Sequence, residues 1–483
     1  MDKKAATNQE DWTSKDVAQK AIGGAFALGF RQLLVQGFYV AGGVLLARLL
    51  TPAEFGIYAV ITFLLAFMNV FGDAGLAASL IRQTSAPEDR DYQSIFTIQQ
   101  ILVFSIAVLC WMLAPWVTSL YKLPDNDAWI FRLIALSLFI TSFQVIPRVR
   151  LERRLAFHKL AVVEVTQAMV YNVVAVVLAW KGLGAMSFAF ALVSRSVIGA
   201  LMSNWVEPWA MRLHWDWELV RHRLRFGILY QGSAIVNLLK DTINPVFVGI
   251  FVGAGAAGYI NWATMVANYP LIAAMILQRL YMPVFARLAQ WPEKLARALG
   301  LAIGLITAVA YSLSAVLYVF REPLTVAIFG AKWVPALAVF LPFTLITVLL
   351  TPTIIAFGAL NALGHSGTVF RFTLIWAVLT WILGPVSIWV YGWPGWGWAN
   401  LGVNLVDVLI LYALKKRTGF NCLPPIARAL AFALCVGAFG QALLGMGLQW
   451  VAGMSLSLVF AASIGFVLYR SQLGDILRRL RPA

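Results

Sequence analysis

The chain is poor in nearly everything a soluble enzyme needs. Only 12% of its 483 residues are charged, while 61% are hydrophobic and the mean hydropathy is +0.80. No soluble globular class has that balance. Its three cysteines, Cys110, Cys422 and Cys435, show neither metal-ligand spacing nor the pattern of a disulfide framework. Its four histidines, His158, His214, His222 and His365, all fall in predicted cytoplasmic loops. No imidazole is therefore placed for chemistry inside a membrane. There is no nucleotide-binding loop and no room for an ATPase domain. The longest predicted outer loop, near 321–335, has only about fifteen residues, too few for a separate catalytic domain. The N-terminal tail lacks a short apolar region followed by a cleavage site, so the first apolar segment is expected to be a retained anchor rather than a signal peptide.

What remains is apolar runs. Fourteen of them, of about 17–27 residues, predict membrane-spanning helices near 22–46, 57–80, 94–120, 128–147, 160–180, 185–206, 226–252, 257–283, 299–320, 336–358, 373–391, 398–414, 426–448 and 450–469. The expected fold is an all-α membrane protein. The net charge of +16 first suggests nucleic acid, but its distribution excludes that partner. The N-terminal tail and even-numbered loops hold 28 of the 37 Lys and Arg, and the opposite loops hold five: Arg48, Lys122, Lys181, Arg321 and Lys332. This asymmetry predicts both termini on the cytoplasmic side of a bacterial inner membrane. The basic cluster Arg148, Arg150, Arg153, Arg154 and Lys159 serves that topology and is also placed to meet anionic lipid headgroups.

Local signals give the organisation. Thr13–Asp16 resembles a capping box. In Thr51-Pro52-Ala53-Glu54, Thr51 can cap, Pro52 suits the first helical position and Glu54 can reach back. A weak internal repeat relates LARLLTPAEFGIY (Leu46–Tyr58) to VGIFVGAGAAGYI (Val248–Ile260), each with Gly and Tyr after a short turn (Gly56/Tyr58, Gly258/Tyr259). Six predicted helices separate the copies, so the repeat is parallel. The expected units are an N-terminal lobe (1–206), an amphipathic cytoplasmic linker (207–225), a C-terminal lobe (226–420), and two further helices with a basic tail (421–483). Aromatic residues crowd the predicted outer boundary, including Trp111, Trp129, Trp333 and the run from Trp389 to Trp398. They read as interface anchors, and the last run also has the ring faces to stack on a sugar.

Polar residues at membrane depth form one-sided stripes. Helix one carries Arg31, Gln32, Gln36 and Tyr39; helix two, Thr62, Asn69 and Asp73; helix five, Glu164, Gln167 and Tyr171. Helix seven carries Asn237, Lys240, Asp241 and Asn244; helix eight, Asn261, Thr264 and Asn268; helix twelve, Asn400, Asn404 and Asp407. Interhelical hydrogen bonding accounts for single amides. It does not account for four cations, Arg31, Arg132, Arg195 and Lys240, which would cost about 2.5–3.5 kcal/mol each against lipid. Arg31, Arg195 and Lys240 read as anion ligands in a hydrated cavity or as members of ion pairs. Arg132 is close enough to the surface to snorkel. Lys240 and Asp241 are adjacent and are not expected to face one another. Asp73, Glu164, Asp241 and Asp407 read as ion-pair partners or as carriers of a coupling proton or sodium ion, with Asp407 the first choice and Glu164 the second.

Leu46–Gln83 is similar to the opening signature of the polysaccharide transporter family, with further matches at Val248–Tyr259, MPVFARL (Met282–Leu288) and FGAKWVPAL (Phe329–Leu337). That family includes the Wzx-type flippases of the multidrug/oligosaccharidyl-lipid/polysaccharide exporter superfamily. The resemblance implies two six-helix lobes around a central cationic cavity, alternating access, and a polyprenyl-diphosphate-linked glycan as substrate. Its polyprenyl tail would stay in membrane lipid. Arg31, Arg195 and Lys240 fit the diphosphate, with Gln32, Gln36 and Asn237 completing the expected substrate-binding set. Asn244 stands where many relatives carry Asp, and Asp241, one turn earlier, is the substitute. No cofactor is expected beyond a coupling ion, and a polysaccharide polymerase and export machinery are the expected protein partners. Competing readings are a drug/cation antiporter, a peptidoglycan-precursor flippase, and a membrane polymerase or ligase. The orientation is directly testable. Alkaline phosphatase fused after Ala483 should be inactive in cells, and an active fusion overturns it.

Overall fold

In a computed structural model, the backbone is described for residues 14–73, 75–82, 87–216, 221 and 235–480. Side chains are described from Gln32 onward within these ranges, except at 73, 78, 82, 273, 276–280, 282–283, 469 and 471–480. Among the described residues there is no strand, and helices run from end to end. The first half comprises α1 (Ser14–Leu49), α2 (Pro52–Asp73), the short α3 (Leu76–Arg82), α4 (Asp89–Leu120), α5 (Ala128–Ser142), α6 (Val145–Arg153), α7 (Phe157–Trp180) and α8 (Met186–Val206). Next come α9 (235–251), α10 (Ala254–Ala267), α11 (Leu271–Leu288) and α12 (Pro292–Val319). After an irregular turn, α13 (Phe340–Ala362), α14 (Ser366–Tyr391), α15 (Gly395–Asn404), α16 (Val406–Thr418), α17 (Leu423–Gly445) and α18 (Trp450–Leu480) follow.

Eleven described helical stretches are long and apolar enough to span a membrane, or twelve if the pair 125–142 and 145–153, bent by 41°, is one span. The expected fourteen is not reached by this measure. Two predicted segments account for the difference. The segment 226–252 is described only from 235, and it contains a π turn at Ile243–Val248 around Pro245. The segment 257–283 is split before Pro270, with Asn268 ending α10. A proline lacks the N–H that the ladder needs, and the chain absorbs the defect as a π turn or a break.

Within the first half, α1 packs on α7, α7 on α8, and α5 on both α4 and α8. In the second, α13 packs on α11, α12, α15 and α16, while α17 and α18 pack on α12. The proposed linker, 207–225, lies partly outside the described residues; the division into lobes stays an expectation.

The tightest cross-contact joins the two copies of the internal repeat. A Cβ on Gly56 would overlap the carbonyl oxygen of Ala254, and one on Gly258 would overlap that of Pro52. Glycine here admits the opposing backbone. The turn before α2 is rigid, as the sequence predicts: Glu54 accepts from the Thr51 N–H (2.6 Å) and hydroxyl (2.8 Å). Around it, the α1 end and the 321–339 segment exchange polar contacts. Arg48 donates to the carbonyls of Ala327 (2.7 Å) and Ile328 (3.2 Å). Lys332 donates to the Arg48 carbonyl (2.8 Å), and the Trp333 indole to that of Ala47 (2.8 Å). Each cation thus meets carbonyls at the C-terminal end of the other segment's helix, where the helix dipole favours positive charge. This end of the bundle is shut.

Overpacking such a contact costs about 1–3 kcal/mol. Gly56→Ala should therefore lower the unfolding temperature of purified protein, whereas Gly255→Ala, where an added Cβ meets nothing within 4 Å, should not. Equal temperatures for the two variants would contradict the packing described.

Candidate functional site

Behind the shut end lies a cavity of about 750 Å³ bounded by α2, α9, α10, α13, α14 and α15. Three of the predicted stripes, on α9, α10 and α15, converge on it, and α2 adds Thr62 alone of its stripe, Asn69 lining a separate pocket. It receives Thr62 from α2, Asn237, Lys240, Asp241 and Asn244 from α9, Asn261, Thr264 and Asn268 from α10 and its end, and Asn400 and Asn404 from α15. Hydrocarbon could not cover so many amides without unsatisfied groups. A partly aqueous, protein-lined space is where they are tolerated. Trp376 and Trp396 complete the wall.

Lys240 and Asp241 do meet, with Nζ and Oδ1 2.8 Å apart. This corrects the expectation from helical spacing. The four-carbon stem of Lys240 reaches round the helix, and regular α geometry ends at Thr242, just before the π turn. The Lys240 ammonium also lies 5.8 Å from the Trp376 ring centre, in cation–π range. Asp407 is fully buried, and neither carboxylate oxygen has a hydrogen-bond partner among the described residues. It lies one helical turn beyond Asn404, whose side chain donates to Asn400 (2.8 Å). If ionised, such a group needs a balancing positive charge.

The other expected residues go elsewhere. Gln36 lines a smaller chamber of about 250 Å³, shared with Tyr39, Tyr58, Tyr171 and Tyr269. Arg195 is half-buried on α8, lines neither space, and forms no ion pair among the described residues. Gln32 is half-buried on α1 outside both linings. The side chains of Arg31 and Asp73 lie outside the described set. Glu164 belongs to a different cluster, 3.4 Å from Arg148, which also pairs with Glu152 at 2.9 Å.

That cluster refines the reading of the basic loop. Arg150 and Arg154 both bind Glu207, at 3.1 and 2.8 Å, and Arg153 donates to the Leu80 carbonyl. Several of these cations therefore hold α6 to its neighbours. Arg132 places its guanidinium 4.9 Å from the Trp129 ring and 5.8 Å from that of Trp111, in cation–π range. In the late aromatic run, Trp393 stacks on Tyr259 (5.5 Å) and Trp396 turns into the cavity wall. Trp389, Tyr391 and Trp398 keep largely exposed rings. The stripe analysis missed Trp376 and Trp396, because an aromatic residue in an apolar helix carries no signal of its own.

The fold has known counterparts. The structure of "Lipid II flippase MurJ, inward closed conformation" superposes with a TM-score of 0.72 at 11% identity, over 95% of this chain and all of that one. An inward-facing multidrug resistance MATE transporter of the MOP superfamily gives 0.59 at 16%, over 80% of this chain and 96% of that one. At such identities these matches speak for the fold alone. Among curated proteins, the succinoglycan biosynthesis transport protein ExoT of Rhizobium meliloti (strain 1021) is 26% identical over 338 residues, 70% of this chain and 68% of its own length. The lipopolysaccharide biosynthesis protein WzxC of Escherichia coli (strain K12) is 23% identical over 323 residues, 65% and 64% of the two chains. The alignments thus span about two thirds of each relative. The family model described as "Polysaccharide biosynthesis protein" matches residues 45–338, more than half of the chain, and the chain belongs to that family.

Proposed function

We propose that the protein is a flippase that moves a polyprenyl-diphosphate-linked oligosaccharide across the bacterial inner membrane by alternating access, for assembly of a surface or exported polysaccharide. The observation that carries this reading is the 750 Å³ cavity, lined by amides and Lys240 and closed at one end by glycine-mediated contact between the two repeat copies. A diphosphate cannot cross hydrocarbon unaided. Amide donors and fixed cations replace its lost water with charge-assisted hydrogen bonds. Lys240 lines the main cavity, and Arg195, which lines neither space, is the second described cation proposed to act on such a group. The polyprenyl tail stays among membrane lipids. A glycan polymerase and export machinery would take the product. Both termini face the cytoplasm in this reading, and the protein acts as a transporter rather than an enzyme.

The names of the curated relatives support polysaccharide export over peptidoglycan-precursor transport. The cations on predicted helices one, six and seven, Arg31, Arg195 and Lys240, argue against a drug/cation antiporter. Energy comes from an ion gradient or from consumption of the product. Asp407 is the best-placed carrier, because its balancing charge can be Lys240, a proton or sodium. Glu164 acts as a structural partner of Arg148.

Two tests follow, both in sealed vesicles with matched protein levels. A hydrogen bond to a charged group is worth about 1.5–3 kcal/mol, so Lys240→Gln and Arg195→Gln should each slow transport roughly ten- to hundredfold, with Arg195→Lys largely active. Normal rates in both Gln variants would remove these cations from the mechanism. With proton, sodium and electrical gradients imposed in turn, Asp407→Asn should lose the response and Glu164→Gln should keep it. A full response in Asp407→Asn would exclude Asp407 as an essential carrier.

A further inference from the structure

The 250 Å³ chamber lies between α1, α2, α7, α8 and α10. It shares Asn261 of its lining with the main cavity. Its lining includes four phenols and Phe188, together with the amides of Gln36, Asn172 and Asn261, and it contains no Lys, Arg, Asp or Glu. The Tyr39 and Tyr171 rings are 5.9 Å apart, and Tyr58 stacks on Phe188 at 4.4 Å. The Tyr269 hydroxyl is buried and has no hydrogen-bond partner among the described residues. A Cβ added at Gly43 would lie at ordinary contact distance, 3.8 Å, from that hydroxyl.

These features select one ligand chemistry. An uncharged wall gives an ion no counter-charge. An alkyl chain would leave the Gln36 and Asn261 amides and an orphaned phenol without partners, while Asn172 already donates to the Ala168 carbonyl. Water alone would fill the volume with about eight molecules, at roughly 30 Å³ each, and hydroxyl groups on a ring can take over their hydrogen bonds. A pyranose offers apolar C–H faces to aromatic rings and hydroxyls to amides and phenols. We propose that this chamber is a saccharide subsite, which receives one uncharged sugar ring of the glycan while the diphosphate remains in the main cavity. This rests on the flippase reading above and adds where and how the glycan is recognised. The ring then lies directly beneath the shut end, because Leu46 and Phe55 of the lining adjoin Ala47 and Gly56 of the closure.

The test uses the full chain in lipid nanodiscs and five probes: farnesyl diphosphate, and its glucosyl, galactosyl, N-acetylglucosaminyl and N-acetylgalactosaminyl esters. Binding is measured for the parent, Tyr269→Phe and Gln36→Leu. Tyr269→Phe removes only an oxygen that has no partner among the described residues, so its fold should survive. At least one sugar ester should bind about tenfold more tightly than farnesyl diphosphate. Each variant should cut that advantage about two- to tenfold, the worth of one neutral hydrogen bond, with farnesyl diphosphate binding unchanged. Equal binding of all five probes, or an undiminished advantage in both variants, overturns the subsite and leaves the flippase reading intact. Binding of none of the five overturns both.

Discussion

The arrangement depends on one close approach. Where Gly56 meets Ala254 and Gly258 meets Pro52, two helices from opposite halves touch backbone to backbone. In a membrane, association has no hydrophobic drive of its own and relies on such van der Waals contact and on interhelical hydrogen bonds. Both are present here. Arg48, Lys332 and Trp333 add donors to helix-end carbonyls across the same junction. With this end closed, the helices enclose the polar cavity behind it, on whose wall α2 and α10 also lie.

The cavity follows from a second constraint. Amides and charges placed at membrane depth must find protein or water. The stripes on α9, α10 and α15 converge on one space, joined by Thr62 of α2. Their cost in lipid is thereby avoided, and a surface able to replace a polar headgroup's water is created. The same constraint sorts the charges. Lys240 finds Asp241 and the Trp376 face, Glu164 finds Arg148, and Glu207 finds two arginines. Asp407 alone among the acids expected to carry an ion is both fully buried and without a hydrogen-bond donor among the described residues. That isolation separates a candidate carrier from structural partners.

Much of this was legible in the sequence. Helical spacing gave the faces that converge, and the Thr51–Glu54 capping pattern reappears in the observed bonds. The repeat marked the two glycines that touch. What stayed hidden was set by side-chain reach and by breaks in regular geometry. Spacing on an ideal helix could not bring Lys240 to Asp241, because it ignores a long flexible stem beside a π turn. The stripe on helix five divided: Tyr171 reached the side chamber, while Glu164 went to an ion-pair cluster with Arg148. Periodicity assigns residues to a face but not to a depth, and depth decides which cavity a face meets. The breaks at Pro245 and before Pro270 were likewise invisible to a count of apolar runs.

The turn between α1 and α2 joins these levels. Leu46 and Phe55 line the side chamber, and Ala47, Arg48 and Gly56 hold the end shut. These residues lie within eleven positions of chain, stiffened by the Thr51–Glu54 bonds. A ligand that displaces Leu46 or Phe55 must therefore move the carbonyl of Ala47, the guanidinium of Arg48 or the backbone at Gly56. Coupling between an occupied chamber and the closure then needs no long relay. It follows from two surfaces of one rigid turn, and its strength is set by how differently the ligand binds with the end shut and with it open.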